Sequence, residues 1–492
     1  MLFHTWVFAA FFLGVYPAYL AVKNTRLRAP LLLGASYVFY GWWNPLYLVL
    51  IVYATAVDYT AVQLMDATRR PWLRRLWLFV SVANNVALLG QFKYAWFLVD
   101  SANALLGWLG AGWALGEPGL VWPLGVAHAG EAVNALLGWL GLSARLGPMG
   151  LLLPVGISFY TFQSMSYTID FFRGRVDKEP NFIRFATFVS LFPQLVAGPI
   201  ERAKNLLPQL QSARKVRLVD VTDGMSLFVV GLFKKVALAD FLALYVDRIY
   251  AAPGEHGAPA LILATVAFSW QIYFDFAGYT DMARGAARMM GFRLMLNFNN
   301  PYLATSLGDF WGRWHVSLST WFKDYVYIPL GGNRKGKVNT YRNMFLTMII
   351  SGLWHGAAWT FVIWGALHAV GRAATRELEA TAFYRDRVPR IVKQVFVFAF
   401  VTFAWIFFRA QSFDDACTVV RGIFSAGWTD PAVPLLLVGL VASIWVYQFV
   451  YESRLRRVLK LAPVRVVLVI AMLLYLAVVP GAEGQPFIYF QF

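Results

Sequence analysis

Apolar runs recur along nearly the whole chain, each near the roughly 20 residues that a helix needs to cross a bilayer. They lie at 2–22, 31–57, 76–99, 102–126, 149–172, 182–199, 219–245 and 258–277, then 342–354 with 356–370, 392–408, 432–451 and 464–479. They predict an all-α polytopic membrane protein of about ten to twelve membrane segments, some re-entrant or half-inserted. Only 14% of the 492 residues are charged, where soluble domains carry roughly 25%. One membrane-embedded domain over residues 1–492 is expected, without a soluble appendage.

The net charge of +17 invites a nucleic-acid partner. The basic residues instead collect in short loops between apolar runs, as the positive-inside rule requires. No basic stripe interleaved with aromatics appears. The expected partner is membrane lipid and not nucleic acid. The N-terminus lacks a basic n-region and a small-residue cleavage site, so its apolar run reads as a retained first span. The single cysteine, Cys417, permits no intramolecular disulfide and reads as an ordinary thiol with no histidine nearby.

Two stretches resist the simple spanning pattern. Run 31–57 is interrupted by Trp42-Trp43-Asn44-Pro45, where proline removes a backbone donor. The basic loops on either side of that run, Lys23 to Arg28 and Arg69 to Arg75, both favour the cytoplasm. A re-entrant or kinked run reconciles them. The second stretch, 297–341, alternates Asn297, Asn299, Asn300, Asp309, Arg313 and His315 with Phe, Trp, Tyr and Leu. It is too polar to span and too aromatic to be a free linker. Irregular backbone survives at membrane depth only when packed in protein or lining a water-filled cavity. No internal repeat of the kind found in secondary transporters is visible.

Two histidines stand among tryptophans, in Asp309-Phe310-Trp311-Gly312-Arg313-Trp314-His315 and in Gly352-Leu353-Trp354-His355-Gly356. An ionisable residue inside membrane runs is a functional candidate by default, and histidine is suited to moving protons near neutral pH. A bland alternative stands beside each. His355 can be a packing residue that hydrogen-bonds between helices, with Gly352 and Gly356 permitting close approach of a helix or a ligand. His315 can belong to an ion-pair network with Asp309 and Arg313. On a continuous helix His368 is rotated roughly 220° from His355, which makes it a poorer partner than His315. His4, His128 and His256 sit in terminal or loop-like places.

No metal site is expected, because no histidine pair at i, i+4 and no Cys or carboxylate set has ligand spacing. Asp275 and Asp281 do not share a helix face and read as structural contacts or tunnel lining. No nucleophile elbow or phosphate-cradling glycine loop is present. Neither histidine has an aspartate five residues on, as His-x4-Asp acyltransferases do. The basic run Arg334, Lys335, Lys337 and Arg342 suits cytoplasmic topology, and it also suits the phosphates of a coenzyme A thioester.

The chain resembles the membrane-bound O-acyltransferase family, in its bacterial alginate O-acetyltransferase-like branch. The resemblance rests on Pro154-Val155-Gly156-Ile157-Ser158-Phe159-Tyr160-Thr161-Phe162-Gln163, on Phe192-Pro193-Gln194-Leu195-Val196-Ala197-Gly198-Pro199, and on Asp275-Phe276-Ala277-Gly278-Tyr279-Thr280-Asp281. It continues through 297–334 and Trp354-His355-Gly356, with the core motifs in about 150–370. The resemblance implies a tunnel through a ring of tilted helices, with His355 as the catalytic histidine and His315 as its upstream partner. Trp354, Trp311, Arg313, Asp309 and Asn300 are expected to line the tunnel or the substrate.

The family takes an acyl group from a cytosolic thioester. The resemblance therefore implies acetyl-CoA as donor substrate, no tightly bound cofactor, and a bacterial cytoplasmic (inner) membrane location. The implied activity is O-acetylation of an exported or cell-wall polysaccharide acceptor, alongside an extracytoplasmic acetyltransferase or other polysaccharide-modification proteins. The rivals are a polysaccharide-precursor transporter or flippase, in which no bond changes, and a glycosyltransferase using a lipid-linked sugar.

Overall fold

The computed structural model describes residues 1–118, 153–212, 214–459, 461–479 and 487–488. Every regular element among them is helical. Among the described residues four helices, Pro45–Ala67, Ala258–Met289, Arg390–Arg409 and Leu435–Glu452, are long and apolar enough to cross a membrane, and Trp6–Val22 and Ala462–Val478 are shorter apolar helices. The fold is all-α and polytopic, as the apolar runs predict. The described residues gather into two compact units, Met1–Val221 with Ala286–Leu294 and Thr222–Gly285 with Met295–Phe492.

In the first unit, run 31–57 is broken where its sequence predicts. Helix Arg28–Gly41 ends there, and Leu48–Ala67 starts after a 3-10 turn at Pro45–Tyr47. Asn44 Oδ1 accepts the Leu46 N–H at 3.0 Å, a side-chain cap for the new helix. The next two runs behave differently. Helix Pro71–Leu89 continues through the π turn Gly90–Tyr94 into Ala95–Trp108, so no loop separates run 76–99 from the start of 102–126. Run 102–126 beyond residue 118, the start of 149–172 and His128 lie outside the described residues.

Buried Asp58 joins three helices of this unit. It accepts hydrogen bonds from Ser81 Oγ at 2.6 Å, Asn85 Nδ2 at 2.9 Å and Ser164 Oγ. A buried carboxylate is tolerated when its lone pairs are satisfied in this way. Gly156 takes φ 78, and a Cβ there would meet the Leu195 carbonyl oxygen at 2.7 Å. The motif beginning at Pro154 and the one beginning at Phe192 are thus pressed together, backbone against backbone.

The second unit carries a helical hairpin, Gly336–His355 and Trp359–Ala380. A Cβ on Gly352 would collide with the Phe361 carbonyl oxygen, and one on Gly356 with the Phe361 ring. The close approach that these glycines permit is therefore to the returning chain. At the far end of the hairpin Lys337 Nζ pairs with Glu377 Oε2 at 3.0 Å. There the Tyr341 hydroxyl and then the Lys337 ammonium hold the exposed Glu377 carboxyl below the usual range. About 30 Å of helix separates this basic end from His355. The polar stretch forms two seven-residue helices, Leu307–Arg313 and Val316–Phe322. Neither is long enough to span, and Asn297, Phe310, Trp314, His315 and Ser317 are all buried.

Candidate active site

His315 sits at the junction of the two short helices with φ 43, a left-handed conformation uncommon outside glycine. Backbone hydrogen bonds hold the junction: Asn299 N–H donates to Arg313 O, and Val316 N–H to Asn297 O, each at 2.9 Å. The Asn297 side chain then fixes the imidazole. Asn297 Oδ1 accepts from the Ser317 N–H at 3.3 Å and from Ser317 Oγ at 3.0 Å. Because a backbone N–H only donates, the atom facing it is oxygen. His315 Nδ1, 3.0 Å from the same oxygen, is therefore the protonated nitrogen, and in the neutral ring Nε2 keeps the lone pair. The ring packs against Phe276 at a centroid distance of 4.6 Å and Trp354 at 6.1 Å.

His355 closes the last turn of helix Gly336–His355 and is buried. Its ring centroid lies 5.0 Å from Trp354, 5.1 Å from Trp364 and 5.4 Å from Phe408. The Trp354 indole thus contacts both histidines. A cavity of about 730 Å³ opens beside this group, lined by Ala357, Ala358, Thr360, Phe361, Phe408 and Arg409 among others. It lies at the end of the hairpin away from Lys337 and Glu377. Phe408 both borders the cavity and packs on His355.

The remaining candidates divide. Trp311 lies in the aromatic cluster, 5.8 Å from Trp364. Asp309 and Arg313 pair with each other at 2.6 Å. Asp309 Oδ2 also accepts the Thr305 N–H at 3.0 Å, and Arg313 donates to Asn299 O at 3.4 Å. Those contacts organise the short helix, while His315 takes Asn297 as its hydrogen-bond partner. Asn300, at φ 46, donates to Glu452 Oε1 at 2.8 Å. Asp275 and Asp281 do not converge: Asp275 pairs with Lys235 at 2.7 Å and Asp281 with Lys234 at 2.7 Å.

Sequence reasoning missed two residues here. Asn297 is recognisable as polar, but its pairing with His315 spans a bend that no local pattern encodes. The rotation argument against His368 assumed one continuous helix. The chain instead leaves the helix at Gly356 and starts another at Trp359. His368 is fully buried, 4.7 Å from Trp364 and 5.1 Å from Trp311.

The sequence pattern of the membrane-bound O-acyltransferase family matches residues 157–413, which include the buried His315, His355 and His368. A probable alginate O-acetylase of Pseudomonas putida is 40% identical over 87% of this chain and 81% of its own length. A peptidoglycan O-acetyltransferase of Helicobacter pylori is 33% identical over 84% of this chain and 76% of its own length. A teichoic acid D-alanyltransferase of Bacillus subtilis is 29% identical over 52% of this chain and 69% of its own length. With that match and that coverage, the chain belongs to the membrane-bound O-acyltransferase family.

Proposed function

We propose that this membrane O-acyltransferase takes an acetyl group from acetyl-CoA in the cytosol and passes it across the bacterial cytoplasmic membrane. The acetyl group is destined for hydroxyls of an exported or cell-wall polysaccharide, alginate-like in kind. The observation that carries this reading is the placement of His315 and His355 on one indole, beside a cavity at the hairpin end remote from the basic run that holds Lys335 and Lys337. A basic run favours the cytosolic face, which supports assigning the cavity at the other end of the hairpin to the acceptor. The relatives support the polymer class: their names specify alginate, peptidoglycan and teichoic acid. An extracytoplasmic acetyltransferase is the proposed partner for final transfer, and acetyl-CoA acts as a diffusible substrate.

The chemistry required is modest, because a thioester is already activated. An acceptor hydroxyl attacks the thioester carbonyl while His355 takes its proton. The new C–O bond forms as a tetrahedral oxyanion, the C–S bond breaks, and the proton returns to the leaving thiolate. Positive charge on the imidazole during this step meets the carbonyl end of its own helix, where cations are favoured. General-base catalysis of this kind supplies roughly 10²–10⁴-fold. His315, with Nε2 as acceptor, serves as second proton carrier. As an acyltransferase the chain is neither the transporter nor the glycosyltransferase of the alternatives.

The test is His355→Ala, with membrane abundance verified and O-acetyl esters on the surface polymer assayed. The expected result is lost acetylation with polymer export intact. Retained acetylation removes His355 from catalysis.

A further inference from the structure

A pocket of about 240 Å³ opens in the first unit where two basic stretches meet. Five cations line it, Arg214, Lys215 and Arg217 from one stretch and Arg288 and Arg293 from the other. Among the described residues the lining holds one acid, Asp220, which pairs with Arg217 at 3.4 Å. The positive charge of Arg214, Lys215 and Arg293 is thus unanswered within the lining, and all three residues are exposed. Like charges gathered around one cavity repel each other, so the lining favours an anion between them.

Hydrogen bonds and close packing hold the two stretches together. Helix Ala258–Met289 is followed by a turn in which Gly291 takes φ 85, and a Cβ there would meet Val216 Cγ2 at 3.2 Å. That turn therefore lies against residues 214–217. Gln209 pins it twice: its Oε1 accepts the Arg293 N–H at 2.8 Å, and its Nε2 donates to Arg293 O at 3.1 Å. Phe292 is buried, with the Arg28 guanidinium 5.1 Å from its ring centroid, and Arg28 Nη2 donates to Gln209 O at 2.8 Å.

Position specifies the anion. Arg28 ends the loop Lys23 to Arg28, and a basic loop favours the cytosolic face. Tyr16 and Tyr19, in the last two turns of the apolar helix Trp6–Val22, donate to Met289 O at 3.2 Å and Met290 O at 2.9 Å. The pocket is therefore level with the end of that helix. Leu218 and Val219 follow Arg217 directly, are 79% and 47% exposed, and open the helix Leu218–Phe233. Cations with exposed hydrocarbon directly after them match an amphiphilic anion better than a wholly water-soluble one. Arginine suits phosphate in particular, because its planar fork donates two parallel hydrogen bonds.

We propose that Arg214, Lys215, Arg217, Arg288 and Arg293 form a phosphate-binding pocket for the headgroup of an anionic phospholipid of the cytosolic leaflet. The acyl chains lie along Leu218 and Val219. The site binds and does not react, and it stands independently of the acyl-transfer reading.

Native mass spectrometry of the full chain in detergent, titrated with phosphatidylglycerol or with zwitterionic phosphatidylcholine, tests the pocket. The wild type is expected to bind phosphatidylglycerol more tightly than phosphatidylcholine. Each basic residue near an anionic headgroup is worth roughly 5-fold in affinity, so Arg214→Gln with Lys215→Gln is expected to lose about 25-fold for phosphatidylglycerol and little for phosphatidylcholine. Arg293→Gln, on the other stretch, is expected to lose about 5-fold, and it keeps the test alive should the double variant not fold. In phosphatidylcholine nanodiscs the variants are expected to keep the wild-type thermal midpoint, and to gain less from added phosphatidylglycerol. Arg26→Gln removes an exposed cation of the neighbouring loop outside the pocket and is expected to keep the wild-type preference. A loss there as large as in the double variant means diffuse attraction and overturns the pocket. Equal phosphatidylglycerol affinity in wild type and both pocket variants overturns it too, as does a wild type that does not prefer phosphatidylglycerol. Inorganic phosphate and coenzyme A, the soluble phosphates, are expected to leave bound phosphatidylglycerol in place. If either displaces it from the wild type and itself binds the double variant more weakly, the ligand is a soluble phosphate and the lipid assignment fails.

Discussion

Asn297 Oδ1 receives three hydrogens, from His315 Nδ1, Ser317 N and Ser317 Oγ, and so sets the tautomer of a buried imidazole from eighteen residues away. Replacing Asn297 by Leu removes the acceptor and leaves those donors buried. The expected cost is about 1–3 kcal/mol of stability. Acyl transfer is expected to drop by about 10²-fold, the low end for a lost acid–base function. Thermal unfolding of the purified protein and surface-ester assays measure the two effects separately. Unchanged ester levels in a folded variant would remove the tautomer from the mechanism.

His315 and His355 share Trp354, which predicts energetic coupling between them. Residues in contact or acting as a unit give non-additive effects. His315→Ala and His355→Ala are each expected to lower transfer by roughly 10²–10⁴-fold, and the double variant to fall little below the weaker single. A double-mutant cycle on initial rates reads this directly. A product of the two single losses means that they act independently.

Much of this centre is legible in the residues themselves. The Trp-His-Gly sequence marks a helix end because glycine departs from the helix after His355, and the break at Asn44-Pro45 carries its own cap and proline. What sequence does not carry is contact across turns. His368 escaped because rotation angles hold only along unbroken helix, and the chain reverses between His355 and Trp359. The Asp309–Arg313 pair, at i, i+4 on one short helix, is local and was foreseeable as a structural bond. Runs 76–99 and 102–126 read as separate spans because Asp100-Ser101 interrupts the apolar sequence, whereas helix Ala95–Trp108 passes straight through that pair.

Gly352→Ala tests the hairpin contact that places His355. The added Cβ collides with the Phe361 carbonyl oxygen, a backbone atom that cannot rotate away. Overpacking of this type costs about 1–3 kcal/mol, and the expected readout is a lower thermal midpoint in detergent. Gly14→Ala, where no heavy atom stands within 4 Å of the new Cβ, is the control. Equal midpoints for the two variants refute the close contact.

Lys235 supports the His315 wall from behind. Its ammonium lies 2.8 Å from Asp240 and 2.7 Å from Asp275, and all three side chains are buried. Asp275 Oδ2 also accepts the Ile488 N–H at 2.6 Å, which seats Phe487 4.8 Å from Tyr279 and 6.0 Å from Phe276. Phe276 in turn packs on His315. Lys235→Met leaves two buried carboxylates without their cation, and breaking a buried pair from one side costs about 3–5 kcal/mol. Lys235→Met is expected to abolish stable expression or lower the thermal midpoint sharply. Adding Asp240→Asn and Asp275→Asn to Lys235→Met removes the leftover charges and is expected to recover much of that loss, because the penalty lies in uncompensated charge rather than in a missing attraction. If the triple variant is no more stable than Lys235→Met, the two carboxylates are not the source of the cost.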